Sequence, residues 1–257
     1  MGNMLVSIII PTFNSEKFIA ETIQSIQAQT YTKWEVIIVD DGSSDKTVSI
    51  ISKLAQFEER IQFFQIEGNS GAGIARNLAL NKANGRYIAF LDSDDLWKPT
   101  KLEKQIKFMT QNDLSFTFSF YDCINEEGKL LKKRIEAPRN LSYKQLFYCN
   151  YVGNLTGIYD VNYFGKIPIF PIRKRQDWIL WLTILKKIKT AQPIPESLGF
   201  YRVRQNSISA SKFDLLIHNF NVYRTFHGLN IVVSLVCMIG FLFTQLIIKP
   251  THIKRLN

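Results

Sequence analysis

Cysteine is scarce in this chain. Cys123, Cys149 and Cys237 are the only three in 257 residues, widely spaced and without a CxxC pair. That excludes a disulfide framework and a paired-cysteine zinc site, and makes a reducing cytosol the simplest home. Histidine is as rare, with His218, His227 and His252 scattered towards the tail. There is no internal repeat and no low-complexity tract. No helix-turn-helix, zinc-ligand or RNA-binding signature accompanies the net charge of +10, so nucleic acid is not the expected partner. The opening "MGNMLVSIIIPTFN" lacks a charged segment followed by a long apolar one and does not resemble a secretion signal.

What is present is a composition of 46% hydrophobic and 21% charged residues, ordinary for a folded chain, in a length that can bury one large core. The charge is unevenly placed. Residues 1–97 hold 8 Lys and Arg against 12 Asp and Glu, and residues 98–257 hold 24 against 10. The basic second part suits an anionic membrane surface or a phosphorylated substrate.

Short apolar runs alternate with helical patterns in the first part. "VSIII" (6–10), stopped by Pro11, "WEVIIVDD" (34–41), "IQFFQI" (61–66) and "RYIAFL" (86–91) read as strands. Between them "SEKFIAETIQSIQAQ" (15–29, with Ser15 as N-cap), "SSDKTVSIISKLAQF" (43–57) and "GAGIARNLALNKA" (71–83) read as helices. This rhythm predicts an open α/β sheet, mostly parallel, with ligands at the carboxyl ends of its strands. After Trp97 a helix at 98–112 and a hairpin at 114–135 are expected, then a loop-rich stretch to about 171 and a helix at 175–189. The expected division is a first half (1–97), a second half of the same domain (98–215) and a helical tail (216–257). Residues 231–248 carry no charge and are followed by Lys249, His252, Lys254 and Arg255. Such a segment spans a bilayer, lies in its interface or packs as a terminal helix; Asn230, Ser234 and Gln245 share a narrow arc of it.

Polar clusters follow three of the strands. Asp92, Asp94 and Asp95 crowd like charges, which is unfavourable unless a cation or hydrogen bonds compensate. Two carboxylates one residue apart suit a hard cation such as Mg2+ or Mn2+; the alternative is an acidic cap for the next helix. "VDDGSSD" (39–45) puts adjacent aspartates at another strand end, and "GNSGAGIARN" (68–77) adds a glycine-rich loop before a helix, where amides can meet an anion. "NLT" at Asn154 is a glycosylation triplet with no role in a cytosolic protein.

"IIIPTFN", "IIVDDGSSDKT", "NSGAGIARN" and "GRYIAFLDSDDLW", in this order, resemble the family 2 glycosyltransferases of the GT-A fold, nearest to the bacterial surface-polysaccharide enzymes of teichuronic acid type. "RQDWILWLTILKK" and "YRVRQNSIS" (201–209) extend the resemblance. It implies an open mixed, mostly parallel Rossmann-like sheet flanked by helices, with 1–97 as the nucleotide-sugar-binding half, 98–215 as the acceptor-binding and catalytic-base half and 216–257 as a membrane-associating tail, and an inverting, metal-dependent enzyme using Mn2+ or Mg2+. The donor would be a nucleoside diphosphate sugar, most simply a UDP-sugar, and the acceptor a lipid-linked glycan at the cytoplasmic face of the bacterial membrane. Pro11, Thr12 and Asp41 would hold the base side of the donor, Asp92 the ribose and Arg76 the base or diphosphate. Asp94 would hold the metal, shared with Asp95 or leaving Asp95 to cap a helix. Asp177 would be the catalytic base, Trp178 would stack on acceptor sugar, and Arg202 or Arg204 would meet leaving-group charge. Gln176 departs from the Glu common in the family. It is the one feature that points to the alternative, a non-catalytic membrane-associated subunit that binds sugar nucleotide.

Overall fold

The computed structural model describes residues 4–204 and 212–256. Strands β1 (Val6–Thr12), β2 (Trp34–Asp40) and β3 (Ile61–Gln65) alternate with helices α1 (Ile19–Gln27) and α2 (Thr47–Phe57). Helix α3 (Ala72–Lys82) leads into β4 (Tyr87–Phe90). Then come β5 (Leu96–Trp97), α4 (Lys101–Gln111) and the hairpin of β6 (Phe116–Ile124) and β7 (Leu130–Ile135). The next elements are β8 (Leu141–Ser142), α5 (Tyr143–Tyr148), β9 (Ile158–Asp160), α6 (Val161–Phe164), α7 (Gln176–Ile188), β10 (Thr190–Ala191) and β11 (Pro193–Arg202). The tail holds α8 (Lys212–Asn221), a π-helical segment at Val222–Phe226, α9 (Ile231–Phe243) and β12 (Ile253–Arg255).

One sheet runs in the order β12-β7-β6-β9-β4-β1-β2-β3, with β11 parallel to β6 and antiparallel to β5. β3, β2, β1 and β4 are mutually parallel because helical crossovers connect them. β1 and β2 are buried at every residue, which explains their continuous Ile and Val instead of alternation. One apolar core lies between the sheet and α3, α5 and α7; a second lies under α1, α2 and α4. The chain winds outwards from β1 to β3 and returns to β4 on the other side of β1. That reversal leaves a crevice at the carboxyl ends of β1 and β4, where α/β sheets bind ligands.

Several local expectations shift. Pro11 does not stop β1: it pairs with Val39, and the strand ends at Thr12. Ile9 accepts the Leu91 amide on the β4 side, so Pro11, two residues on, faces the same side just past the end of β4. There its missing N–H leaves no ladder bond unmade. Ser15 is not the N-cap of α1, which begins at Ile19; its hydroxyl lies 2.7 Å from that of Ser93 instead. The stretch to about 171, expected to be loop-rich, contains α5, opened by a Ser142–Gln145 capping box, and β9, inserted antiparallel between β4 and β6. β9 is three residues long, too short to show a period.

Candidate active site

The crevice collects the strand-end clusters. At the end of β2, Asp40 binds the Ser43 amide (2.9 Å) and closes its own turn. Asp41, buried, accepts the amides of Ser70 (2.8 Å) and Gly71 (2.7 Å). The two loops meet backbone to backbone: Gly42 has φ +79, and a Cβ there would lie 2.8 Å from the Gly68 carbonyl carbon. Only glycine satisfies both the left-handed conformation and the close approach. The resemblance gave Asp41 to the nucleobase; the structure places both of its oxygens on the glycine-rich loop.

At the end of β4, Asp92 and Asp94 meet different partners. Asp92 Oδ1 accepts from Arg76 Nη2 (2.6 Å) and Asn154 Nδ2 (2.9 Å). Asp94 Oδ2 accepts from Arg204 Nη1 (2.9 Å). Burial raises the Asp94 carboxyl above its usual range; the Arg204 guanidinium opposes this and the neighbouring Asp92 charge adds to it.

Asp95 is 1% exposed and its Oδ1 accepts the Arg202 amide (2.9 Å). Its carboxyl is pushed well up by burial and then by the charges of Asp94 and Asp92. It caps no helix, since α4 starts after Thr100. Arg202 is 2% exposed and donates to the carbonyls of Asp94 and Glu126 and to the Glu21 carboxylate. It ties β11 to the aspartate loop and has little left for a leaving group, whereas Arg204 remains at the cleft. The closing motif beyond residue 204 lies outside the described residues.

The base candidate comes from α7. Arg175, just before the helix, has φ +69, a left-handed conformation rare in a non-glycine residue. Asp177 Oδ2 accepts from Asn150 Nδ2 (2.8 Å), and Asn150 is itself held by the Val152 amide on its Oδ1. Burial raises the Asp177 carboxyl above its usual range, against the opposing charges of Arg175 and Arg76. Gln176 is buried: its Oε1 accepts from Arg76 Nη1 (2.6 Å) and its Nε2 donates to the Ile172 carbonyl (2.6 Å). A chain of polar contacts therefore runs from Gln176, beside Asp177, through Arg76 to Asp92. Asn150 and Asn154 are site residues the sequence reading missed. Asn154 was visible only as a glycosylation triplet.

Trp178 does not line the cleft. It is 1% exposed, donates its indole N–H to the Leu146 carbonyl (2.7 Å) and packs on Tyr223 and Phe241. Residues on α7 point in different directions around the axis, so the neighbour of Asp177 faces the core.

Two buried polar atoms at the crevice, Thr12 Oγ1 and Arg76 Nε, have no partner among the described residues. Such atoms are uncommon in a folded protein and mark hydrogen-bonding capacity that a ligand can use. No group of three His, Cys, Asp or Glu side chains that could hold a metal occurs among the described residues. A hard divalent ion is nevertheless compatible with Asp94, because such ions commonly take one or two carboxylates and complete their shell with substrate phosphates and water.

A Rossmann-like sheet with carboxylates at its switch point and a half-buried carboxylate on a facing helix fits the GT-A glycosyltransferase class. Residues 7–169 match the model of glycosyl transferase family 2, and the chain belongs to that family. It is 41% identical over 237 residues to a protein assigned to teichuronic acid biosynthesis, the glycosyltransferase TuaG of Bacillus subtilis (strain 168), covering 92% of this chain and 94% of that one. It is 38% identical over 231 residues, 88% of each chain, to the UDP-Glc:alpha-D-GlcNAc-diphosphoundecaprenol beta-1,3-glucosyltransferase WfgD of Escherichia coli. Among solved structures, S. aureus TarS 1-349 in complex with UDP-GlcNAc superposes with a TM-score of 0.69 at 21% identity, over 95% of this chain and 73% of that one. The mannosyltransferase PcManGT of Pyrobaculum calidifontis, in complex with GDP-Man and Mn2+, gives 0.65 at 16% identity, over 96% and 71%.

Proposed function

We propose that this enzyme transfers one sugar, with inversion, from a UDP-sugar to a hydroxyl of a lipid-linked glycan at the cytoplasmic face of the bacterial membrane, in cell-surface polysaccharide synthesis. The observation that carries the reading is the half-buried Asp177, oriented by Asn150 and directly preceded by Gln176, whose side chain links through Arg76 to Asp92 at the strand end. The donor and acceptor classes are those for which the Escherichia coli relative WfgD is named.

Thr12 and the loop clamped by Asp41 shape the base side of the donor site, with Pro11 leaving its edge open. Asp92 Oδ2, which has no partner among the described residues, accepts from a ribose hydroxyl. Arg76 and Arg204 supply positive charge towards the diphosphate. Asp94, with Asp95 behind it in the loop, would hold Mn2+ or Mg2+; when bound, that ion stabilises the negative charge that develops on the leaving group. The Asp177 carboxylate accepts the proton of the acceptor hydroxyl while its oxygen attacks the anomeric carbon. The anomeric C–O bond to the diphosphate breaks on the opposite face, releasing nucleoside diphosphate.

Burial suits this role, because a carboxyl raised from its usual range is a stronger base. Gln176 does not argue for a non-catalytic subunit: its carbonyl oxygen binds Arg76 and the base beside it is retained.

A donor screen with purified protein and Mn2+, reading released nucleotide and product anomer, tests the proposal. Asp177→Asn and Asp94→Asn are each expected to lower transfer by about 1000-fold or more with the fold intact. Robust turnover by either variant, or a product of retained configuration, would overturn it.

A further inference from the structure

The tail is a helix turned inside out for water. Its protein-facing stripe is made of Ser234, Cys237, Phe241 and Thr244, all buried. Gly240 lets the helix approach the Tyr148 ring, and Phe241 packs on Trp178 with ring centroids 5.8 Å apart. The outward face carries Val232, Leu235, Val236, Ile239, Phe243 and Leu246, between 56% and 68% exposed. In water the apolar stripe of a surface helix faces the core and the polar stripe faces out; here the order is reversed.

The chain then comes back. Ile253, Lys254 and Arg255 pair antiparallel with Ile135, Arg134 and Lys133. The Glu136 amide donates to His252 O and the Leu256 amide to Lys132 O, both at 2.8 Å. Residues 231–252 are long enough to cross a bilayer, roughly 30 Å at helical rise. Crossing would nevertheless require β12 to leave the sheet and Trp178 to lose its cover.

Charge identifies what covers the face. Residues 215–257 contain no Asp or Glu. The returning edge exposes Lys129, Lys132, Lys133, Lys254 and Arg255, against Glu126 and Glu127 in the hairpin turn and Glu136 beside His252. Two copies joined through this face would bring like-charged edges together, which is unfavourable. An anionic bilayer surface meets both the apolar strip and the basic edge.

We infer that α9 and the β7–β12 edge form a monotopic docking surface for an anionic membrane, with the helix lying in the interface plane and pinned to the protein at both ends. This rests on the proposed lipid-linked acceptor and adds how the enzyme meets it. The docked helix reaches the active site, since the Gln245 side chain accepts from Cys149 Sγ (3.4 Å) and Lys249 Nζ donates to the Asn150 carbonyl (3.0 Å). Asn150 is the residue that orients the base.

The test is co-sedimentation of the full chain with phosphatidylglycerol or phosphatidylcholine vesicles. Binding to phosphatidylglycerol is expected. Val236→Glu with Ile239→Glu should weaken it about tenfold or more. Lys254→Glu with Arg255→Glu should weaken binding to phosphatidylglycerol and leave the weaker phosphatidylcholine binding unchanged. Carbonate should release the protein, and Thr251→Cys should be labelled by an impermeant maleimide from outside intact vesicles.

Carbonate resistance with Thr251→Cys protected would mean spanning and overturn the inference. So would failure to bind vesicles together with a concentration-dependent dimer that Val236→Glu with Ile239→Glu abolishes. Nucleotide release with a soluble acceptor analogue separates the two readings. It should survive the helix variants, and its absence from the unmodified protein would count against the proposed reaction, not against docking.

Discussion

At the scale of single residues, the proposed reaction turns on one proton acceptor and the groups that hold it. Because burial raises the Asp177 carboxyl, its ionised form is present above the raised pKa and lost as the pH falls through it. The acid limb of kcat/KM should therefore lie at higher pH than for a solvated carboxylate. Asn150→Ala removes a hydrogen bond to the charged form, so the limb should move further up and kcat fall about tenfold or more, with donor KM unchanged. A pH series on both proteins measures the shift. Trp178→Ala behaves differently: deleting a fully buried indole should cost about 3–5 kcal/mol of stability, read as a lower Tm. An intact Tm with a raised acceptor KM would restore the stacking role that the sequence suggested. Asp92 and Asp94 stood out in the sequence because like charges at a strand end are a local pattern, and Asp177 because the motif around it resembles the family's. Asn150 and Asn154 carry no such pattern, since an asparagine acquires its role only from the carboxylate it meets.

At the scale of elements, the proposed donor site is built from loops held to one another more than from any single motif. Asp41 clamps the glycine-rich loop ahead of α3 through two amides, and Gly42 lets that loop close against its own. Asp41→Asn would set an amide donor against a backbone donor. Donor KM is expected to rise about tenfold with kcat little changed, as titration with UDP and steady-state kinetics would show. The parallel strands and their crossovers were legible because their apolar runs and turn residues repeat. β9 was not, since three residues in the middle of a sheet are placed by their neighbours β4 and β6 and not by a pattern of their own. The strand through Pro11 was hidden for a related reason: a missing amide is harmless only where the neighbouring strand has already ended.

At the scale of the whole molecule, the tail is structural as well as a docking surface. α9 covers Trp178 and Tyr148, and β12 completes the β7 edge. Truncation after residue 228 should therefore lower Tm and promote aggregation instead of yielding a cleanly soluble transferase, which a thermal melt and size-exclusion profile would check. The sequence by itself determined the α/β architecture, the family and the aspartates of the crevice, because these follow from short-range periodicity and from motifs a few residues long. It also determined that residues 231–248 are apolar without saying which side they face. Only the tertiary structure decided that Trp178 is core, that Arg202 is a tie and Arg204 a cleft residue, and that the chain returns after its apolar helix. Each of these depends on contacts between segments far apart in the chain, where burial and available partners, not residue type, set what a side chain can do.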